Sequence, residues 1–158
     1  MIEIIPSINA PTFEEVQKLI TKVEPYVSWC HLDVTDGLFS AHPTWRDPAD
    51  LSRLKTALKC EVHLMIAHPD SVIGQWLVEP IRRVIVHLEV AKDPGAMVRV
   101  CHEAGKEIGF AINPETPWTA FQPWFGTADL FLPLGVPPGA SGLLSSLWAQ
   151  ELHLSTTL

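Results

Sequence analysis

Short apolar runs alternate with amphipathic stretches along the chain as far as residue 134. Residues 2–5 form a β-type run ended by Pro6. Thr12 followed by Glu15 has the spacing of a capping box, and Phe13, Val16, Leu19, Ile20 and Val23 share one face of the helix it would start. Residues 27–34 read as a second strand. After a Pro-rich connection, residues 50–58 give a weaker helical pattern in which Leu51, Leu54 and Leu58 align. Residues 60–66 predict the next strand, 70–77 the next helix, and 84–88 a strand of β-branched and apolar residues. Asp93 before Pro94 predicts a helix start, and Gly105 its stop. Residues 108–112 and 130–134 are further short strands. Between them lies an apolar, Trp-rich segment that begins at Thr116 and Pro117 and is interrupted by Pro123.

Strands alternating with helices at this spacing imply βαβ units and a parallel sheet, hence an α/β fold. About six strands are visible, against the eight of a closed (β/α)8 barrel. The competing architecture, a doubly wound sheet, has no GxGxxG after the first strand to support it.

Candidate chemistry comes from strand periodicity. Side chains alternate along a strand, so His31 and Asp33 point to one face, with their Cα atoms ~6.6 Å apart, while Cys30, Leu32 and Val34 point to the other. A charged Asp on the inner face of an apolar strand is costly unless it is paired, metal-bound or solvated at the strand end, and the pattern leaves these alternatives open. In the next strand His63 shares a face with Glu61 and Met65. The one after supplies His87 and Glu89, again two apart. In a barrel such strand ends converge on the face where active sites sit. Histidine and carboxylate donors suit Zn²⁺, Mn²⁺ or Fe²⁺ without distinguishing among them.

Composition narrows the partners. Of 158 residues 47% are hydrophobic and 18% charged, as expected for a folded globular chain, and the net charge of −7 without a basic run argues against nucleic acid. A phosphorylated metabolite remains compatible, because backbone amides can bind phosphate on an acidic protein. Cys30, Cys60 and Cys101 are widely spaced, lie in apolar runs and read as buried, reduced thiols. No signal-peptide pattern and no apolar run of ~20 residues is visible, so no membrane association and a cytoplasmic location are expected.

Several motifs together resemble the ribulose-phosphate 3-epimerases: PS at 6–7, HLDVTDG at 31–37, VHLM at 62–65, HLE at 87–89, NPETP at 113–117 and GVPPG at 135–139, in the family's order and spacing from about residue 3 to 142. The resemblance implies a ribulose-phosphate-binding (β/α)8-type barrel over residues 1–142. It also implies an epimerase that interconverts D-ribulose 5-phosphate and D-xylulose 5-phosphate by metal-assisted proton transfer at C3, in the pentose phosphate pathway. By motif, His31, Asp33 and His63 would bind the divalent metal, and Asp33 would act as one acid/base. Ser7, His63 and Met65 would contact the substrate, and the turn Gly139, Ala140, Ser141, Gly142 would hold its phosphate.

The sequence also departs from that pattern. Thr35 and Leu134 replace methionines of the family, and its Asn-Pro-Gly turn reads Pro137, Pro138, Gly139. The VDGG-like stretch that carries the family's second catalytic aspartate is absent, and residues 143–158 resemble nothing in the family. A barrel lacking about its last two βα units, followed by a divergent tail, is therefore expected. So is self-association to cover the open edges. A catalytically impaired relative that binds metal, sugar phosphate or a partner subunit is the alternative function. An orotidine-phosphate-type decarboxylase is disfavoured, since residues 33–36 lack the required lysine.

Overall fold

The structure is a computed structural model that describes residues 3–139. Six strands, β1 (Ser7–Ile8), β2 (Trp29–Thr35), β3 (Lys59–Met65), β4 (Ile81–His87), β5 (Glu107–Ile112) and β6 (Leu130–Pro133), pair in parallel and in chain order. A doubly wound sheet would reverse its strand order at the first strand. This one does not reverse, and it curls until residues at the ends of β1 and β6 line the same cavity, as in an incomplete (β/α)8 barrel.

Two faces follow from the alternation. Cys30, Leu32, Val34, Cys60, Val62, Leu64, Val84, Val86, Ile108, Phe110 and Ile112 are each at most 1% exposed and form one core with the helices outside the sheet. Each fully buried aliphatic or aromatic side chain contributes about 1.5–3 kcal/mol, so this outer face is the main source of stability. On the inner face Met65, Ile85 and Ala111 are also buried, opposite the polar Thr35, His63 and His87 of the neighbouring strands. The cysteines are buried and unpaired, as expected.

Helix α1 (Phe13–Val23) follows its predicted pattern: Thr12 Oγ1 accepts the Glu15 N–H at 3.3 Å, and Phe13, Val16 and Ile20 are buried. Helix α2 (Pro94–Glu103) starts at the Asp93 cap, whose carboxylate accepts the Ala96 N–H at 2.8 Å, and ends at Gly105 with φ +67°.

Three predicted elements differ. The apolar run at residues 2–5 does not become strand over its described part: Ile4 is 75% exposed, and pairing begins at Pro6, whose carbonyl accepts the His31 N–H at 2.9 Å. Proline lacks a donor but not an acceptor, so it opens the strand rather than ending it. The helix expected over residues 50–58 is a 3₁₀ turn, Pro48–Arg53. Glu24 captures Thr56 Oγ1 at 2.6 Å and the Ala57 N–H at 2.7 Å, which holds those residues out of a helix. Residues 70–77 form two short 3₁₀ turns, Pro69–Ser71 and Ile73–Trp76, where β-branched residues and Gly74 disfavour a longer helix. Trp45 rather than helix length fills this side of the core, with ring centroids 5.5 Å from Phe13 and 5.7 Å from Trp76.

Among the described residues no helix is long and apolar enough to cross a membrane.

Candidate metal centre

The β2–β3 register sets His31 opposite Glu61, Asp33 opposite His63 and Thr35 opposite Met65. Because the two strands are in phase, their inward side chains form rows across the sheet, and the rows at the C-terminal ends of the strands hold the polar groups. His31 Nε2 lies 3.2 Å from Asp33 Oδ1, and His63 Nδ1 lies 3.4 Å from the same oxygen. One donor atom from each of His31, Asp33 and His63 falls within 4.8 Å of the other two. Two imidazole nitrogens aimed at one carboxylate oxygen form a donor set that can hold a divalent cation.

The nitrogens facing away from this point are also engaged. His31 Nδ1 is 2.6 Å from Glu61 Oε1. His63 Nε2 is 3.0 Å from His87 Nε2, and His87 Nδ1 is 3.2 Å from Glu89 Oε2. Both routes outward from the cluster end on a carboxylate, the usual support for histidine ligands. The His63 and His87 rings stack at 17°, and Phe39 closes over His87 at 4.7 Å. Ser7 Oγ donates to Asp33 Oδ2, so the two oxygens of Asp33 serve different neighbours.

These contacts shift the titrations apart. Burial opposes charge on His31, but its hydrogen bonds and attraction to Asp33 and Glu61 outweigh burial and raise its pKa to about 9. Burial likewise opposes charge on Asp33, yet hydrogen bonds from His31, His63 and Ser7 hold it well below the usual carboxylate range. His63 moves the other way: burial, with the nearby His87 and His31, lowers it to about 4 against the pull of Asp33. Without a cation the cluster is a charged His31–Asp33 pair beside a neutral His63.

A cavity of about 320 Å³ opens over the cluster, lined by Ser7, Asn9, His31, Asp33, His63 and Met65 on one side and by Leu132, Leu134 and residues 136–139 on the other. Of the residues singled out from sequence, Ser7, His31, Asp33, His63, Met65 and Gly139 all line it. Ala140, Ser141 and Gly142 lie outside the described residues. Periodicity did not single out Asn9, the apolar wall from the end of β6, or the service Glu61 gives to His31. A signal for Glu61 was present, since it shares the inward face with His63, but its partner depends on the register between strands.

The model of the Ribulose-phosphate 3 epimerase family matches residues 3–145. A ribulose-phosphate 3-epimerase from Treponema pallidum (strain Nichols) is 29% identical over 139 residues, covering 87% of this chain and 64% of that protein. Those from Rhodobacter capsulatus and Bacillus subtilis (strain 168) are 31% and 32% identical, covering 89% and 90% of this chain and 63% and 66% of their own lengths. The chain thus spans just under two thirds of these relatives. The motif segments 6–7, 31–37, 62–65 and 135–139 each contribute residues to the cavity, and with a family match over most of its length the chain belongs to the ribulose-phosphate 3-epimerase family.

Proposed function

We propose that this chain takes part in interconverting D-ribulose 5-phosphate and D-xylulose 5-phosphate by proton transfer at C3. The observation that carries the reading is the convergence of His31 Nε2, His63 Nδ1 and the Asp33 carboxylate beneath a cavity, in a chain whose relatives are named for that reaction. A divalent ion such as Zn²⁺, Mn²⁺ or Fe²⁺, held by His31, Asp33 and His63, would polarise the ketose carbonyl and acidify the C3 hydrogen.

The remaining work falls to the chain's own groups. Asp33 Oδ1 faces the two histidines, whereas Oδ2 faces Ser7; Oδ2 is the oxygen that takes or returns the C3 proton on one side of the substrate. The Ser7 hydroxyl orients Oδ2 by donating to it, and its oxygen accepts a hydrogen bond from a sugar hydroxyl. Met65, Leu132 and Leu134 limit water at the reacting carbon. Gly139, at the edge of the cavity, and residues 140–142 are the segment assigned to the phosphate by the family's motif.

A second reading is favoured by one observation. Epimerisation needs an acid/base on each face of C3, and among the described residues lining the cavity Asp33 is the sole acid. A one-base chain would exchange the C3 hydrogen with solvent, or bind metal and sugar phosphate without turnover.

Incubating ribulose 5-phosphate with the chain and a divalent metal in D₂O separates the readings by NMR. Xylulose 5-phosphate deuterated at C3 supports the epimerase. Deuterated ribulose 5-phosphate alone supports the one-base chain, and neither product with metal bound leaves a binding protein.

The same proposal makes the protein cytoplasmic, in keeping with its unpaired thiols, and self-associating, since among the described residues β1 and β6 each keep an unpaired edge. Light scattering at micromolar concentration tests the association, and a stable monomer refutes it.

A further inference from the structure

One row below the Asp33–His63 pair, level with His31, the inward face of the sheet carries charges that do not line the cavity. Glu61 stands opposite His31 in the β2–β3 register, Arg83 opposite Glu61 in β3–β4, and Glu107 opposite Arg83 in β4–β5. The three form a chain leading away from His31. Arg83 Nη1 donates to Glu61 Oε2 at 2.6 Å, while Nε and Nη2 donate to Glu107 Oε2 at 2.7 and 2.5 Å. The Trp29 ring lies 4.8 Å from the guanidinium.

Glu61 is 4% exposed, and a carboxylate that deep is costly unless both oxygens are engaged. Here they are divided: Oε2 takes the guanidinium and Oε1 takes Nδ1 of His31, at 2.6 Å. Arg83 is itself held between Glu61 and Glu107 and covered by Trp29, so it cannot turn toward Asp33 and displace an imidazole. The arrangement leaves Glu61 Oε1 to a single partner.

We propose that Glu61, braced by Arg83, is the positioning carboxylate of His31. It holds the ring with Nδ1–H toward Oε1, so that the Nε2 lone pair points at the site shared with Asp33 and His63. The inference rests on the reading of those three residues as metal ligands. Removing such a carboxylate typically weakens a metal site about 10–100-fold.

The test uses Zn²⁺ with the full chain, its affinity measured by chelator competition and the His31 ring followed by ¹H–¹⁵N correlation in the Zn²⁺-loaded protein. Wild type shows a hydrogen-bonded, slowly exchanging Nδ1–H on His31. Glu61→Gln, nearly isosteric but uncharged, loses that signature and binds Zn²⁺ about 10–100-fold more weakly. Glu107→Gln loosens the same Arg83 without touching His31, and changes affinity less than about threefold, below the range expected for a direct partner. Unchanged affinity in Glu61→Gln overturns the positioning role and leaves the ligands standing. Equal losses in both variants overturn it in favour of a merely structural charge cluster. A wild-type ring protonated at Nε2 in the Zn²⁺ form overturns it without any variant. Wild type that binds no Zn²⁺ removes the ligand reading and this inference together, an outcome distinct from the other three.

Discussion

Nε2 of His63 and Nε2 of His87 lie 3.0 Å apart in stacked rings at 2% and 0% exposure, so one nitrogen must donate and the other accept. If Nδ1 of His63 gives its lone pair to a cation shared with Asp33, as the proposed ligand set requires, the ring's one proton belongs on Nε2. His87 accepts it and passes its own Nδ1–H to Glu89. Replacing His87 with Phe keeps an aromatic ring against Phe39 but strands the His63 N–H. The expected cost is about 1–3 kcal/mol of stability, because a buried donor is left unpaired. Zn²⁺ affinity is expected to fall about 10–100-fold. Thermal melting and chelator competition measure the two effects. His87→Gln, which can accept through its amide oxygen, should recover part of both.

Asp33 is the acid that joins the histidines to the cavity, and its two oxygens divide the work. On the proposed reading of Asp33 as base and metal ligand, Asp33→Asn preserves shape but removes the base and weakens the ligand set. Exchange of the C3 hydrogen of ribulose 5-phosphate in D₂O should fall by roughly 10²–10⁴, the range for loss of a general acid/base. Far-UV circular dichroism should be unchanged. Exchange at the wild-type rate would assign the proton transfer to another group.

How much of this arrangement is written in the sequence differs from element to element. Period-two alternation placed His31 with Asp33 and Glu61 with His63, because a strand's faces follow from the pleat alone. It could not say that Asp33 faces His63 or that His31 faces Glu61, since those pairs depend on register between strands 30 residues apart. Arg83 passed unnoticed for the same reason: its inward position has meaning only once Glu61 and Glu107 flank it. Helix α1 was legible from its cap and apolar face. The segments at 50–58 and 70–77 were not, because distant partners decide them: Glu24 holds residues 56–57, and Trp76 packs on Trp45.

Glu89 contributes to the acid limb of stability, alongside Asp33, Asp36, Glu61 and Asp70, which are also lowered in the fold. Burial would raise its pKa, but hydrogen bonds from His87, the Thr116 hydroxyl and the Asn113 N–H outweigh that and bring it from 4.5 to about 2. A carboxylate depressed in the fold contributes stability above its unfolded pKa and loses it as pH falls toward the folded one. The melting temperature of the metal-free protein should therefore drop between pH 4.5 and about 2. In Glu89→Gln the same interval should be flatter, from a lower starting point at neutral pH. His63, lowered to about 4, adds a loss in both proteins as pH falls from 6.5, so the two are best compared below pH 4. Parallel curves there would mean that Glu89 is not the group responsible.

Gly139 tests whether the turn after β6 must stay fastened over the cavity. Its φ is +76°, and a Cβ there would lie 2.0 Å from Ser40 Oγ and 3.2 Å from Ser40 Cβ. Ser40 is 5% exposed, and its hydroxyl donates to the Pro138 carbonyl at 3.1 Å, so the close approach and the latch depend on each other. Gly139→Ala adds about 1–2 kcal/mol of left-handed backbone strain and a collision that must break the latch. The expected result is faster proteolysis around residues 136–139 and roughly tenfold weaker binding of ribulose 5-phosphate, equivalent to about 1.4 kcal/mol. Adding Ser40→Gly removes the collision but also the latch, and leaves the strain, so the double variant should recover only in part. Full recovery would mean that the collision alone did the damage and that neither the latch nor the strain matters, and no change in the single variant would mean that the cavity does not need the turn closed.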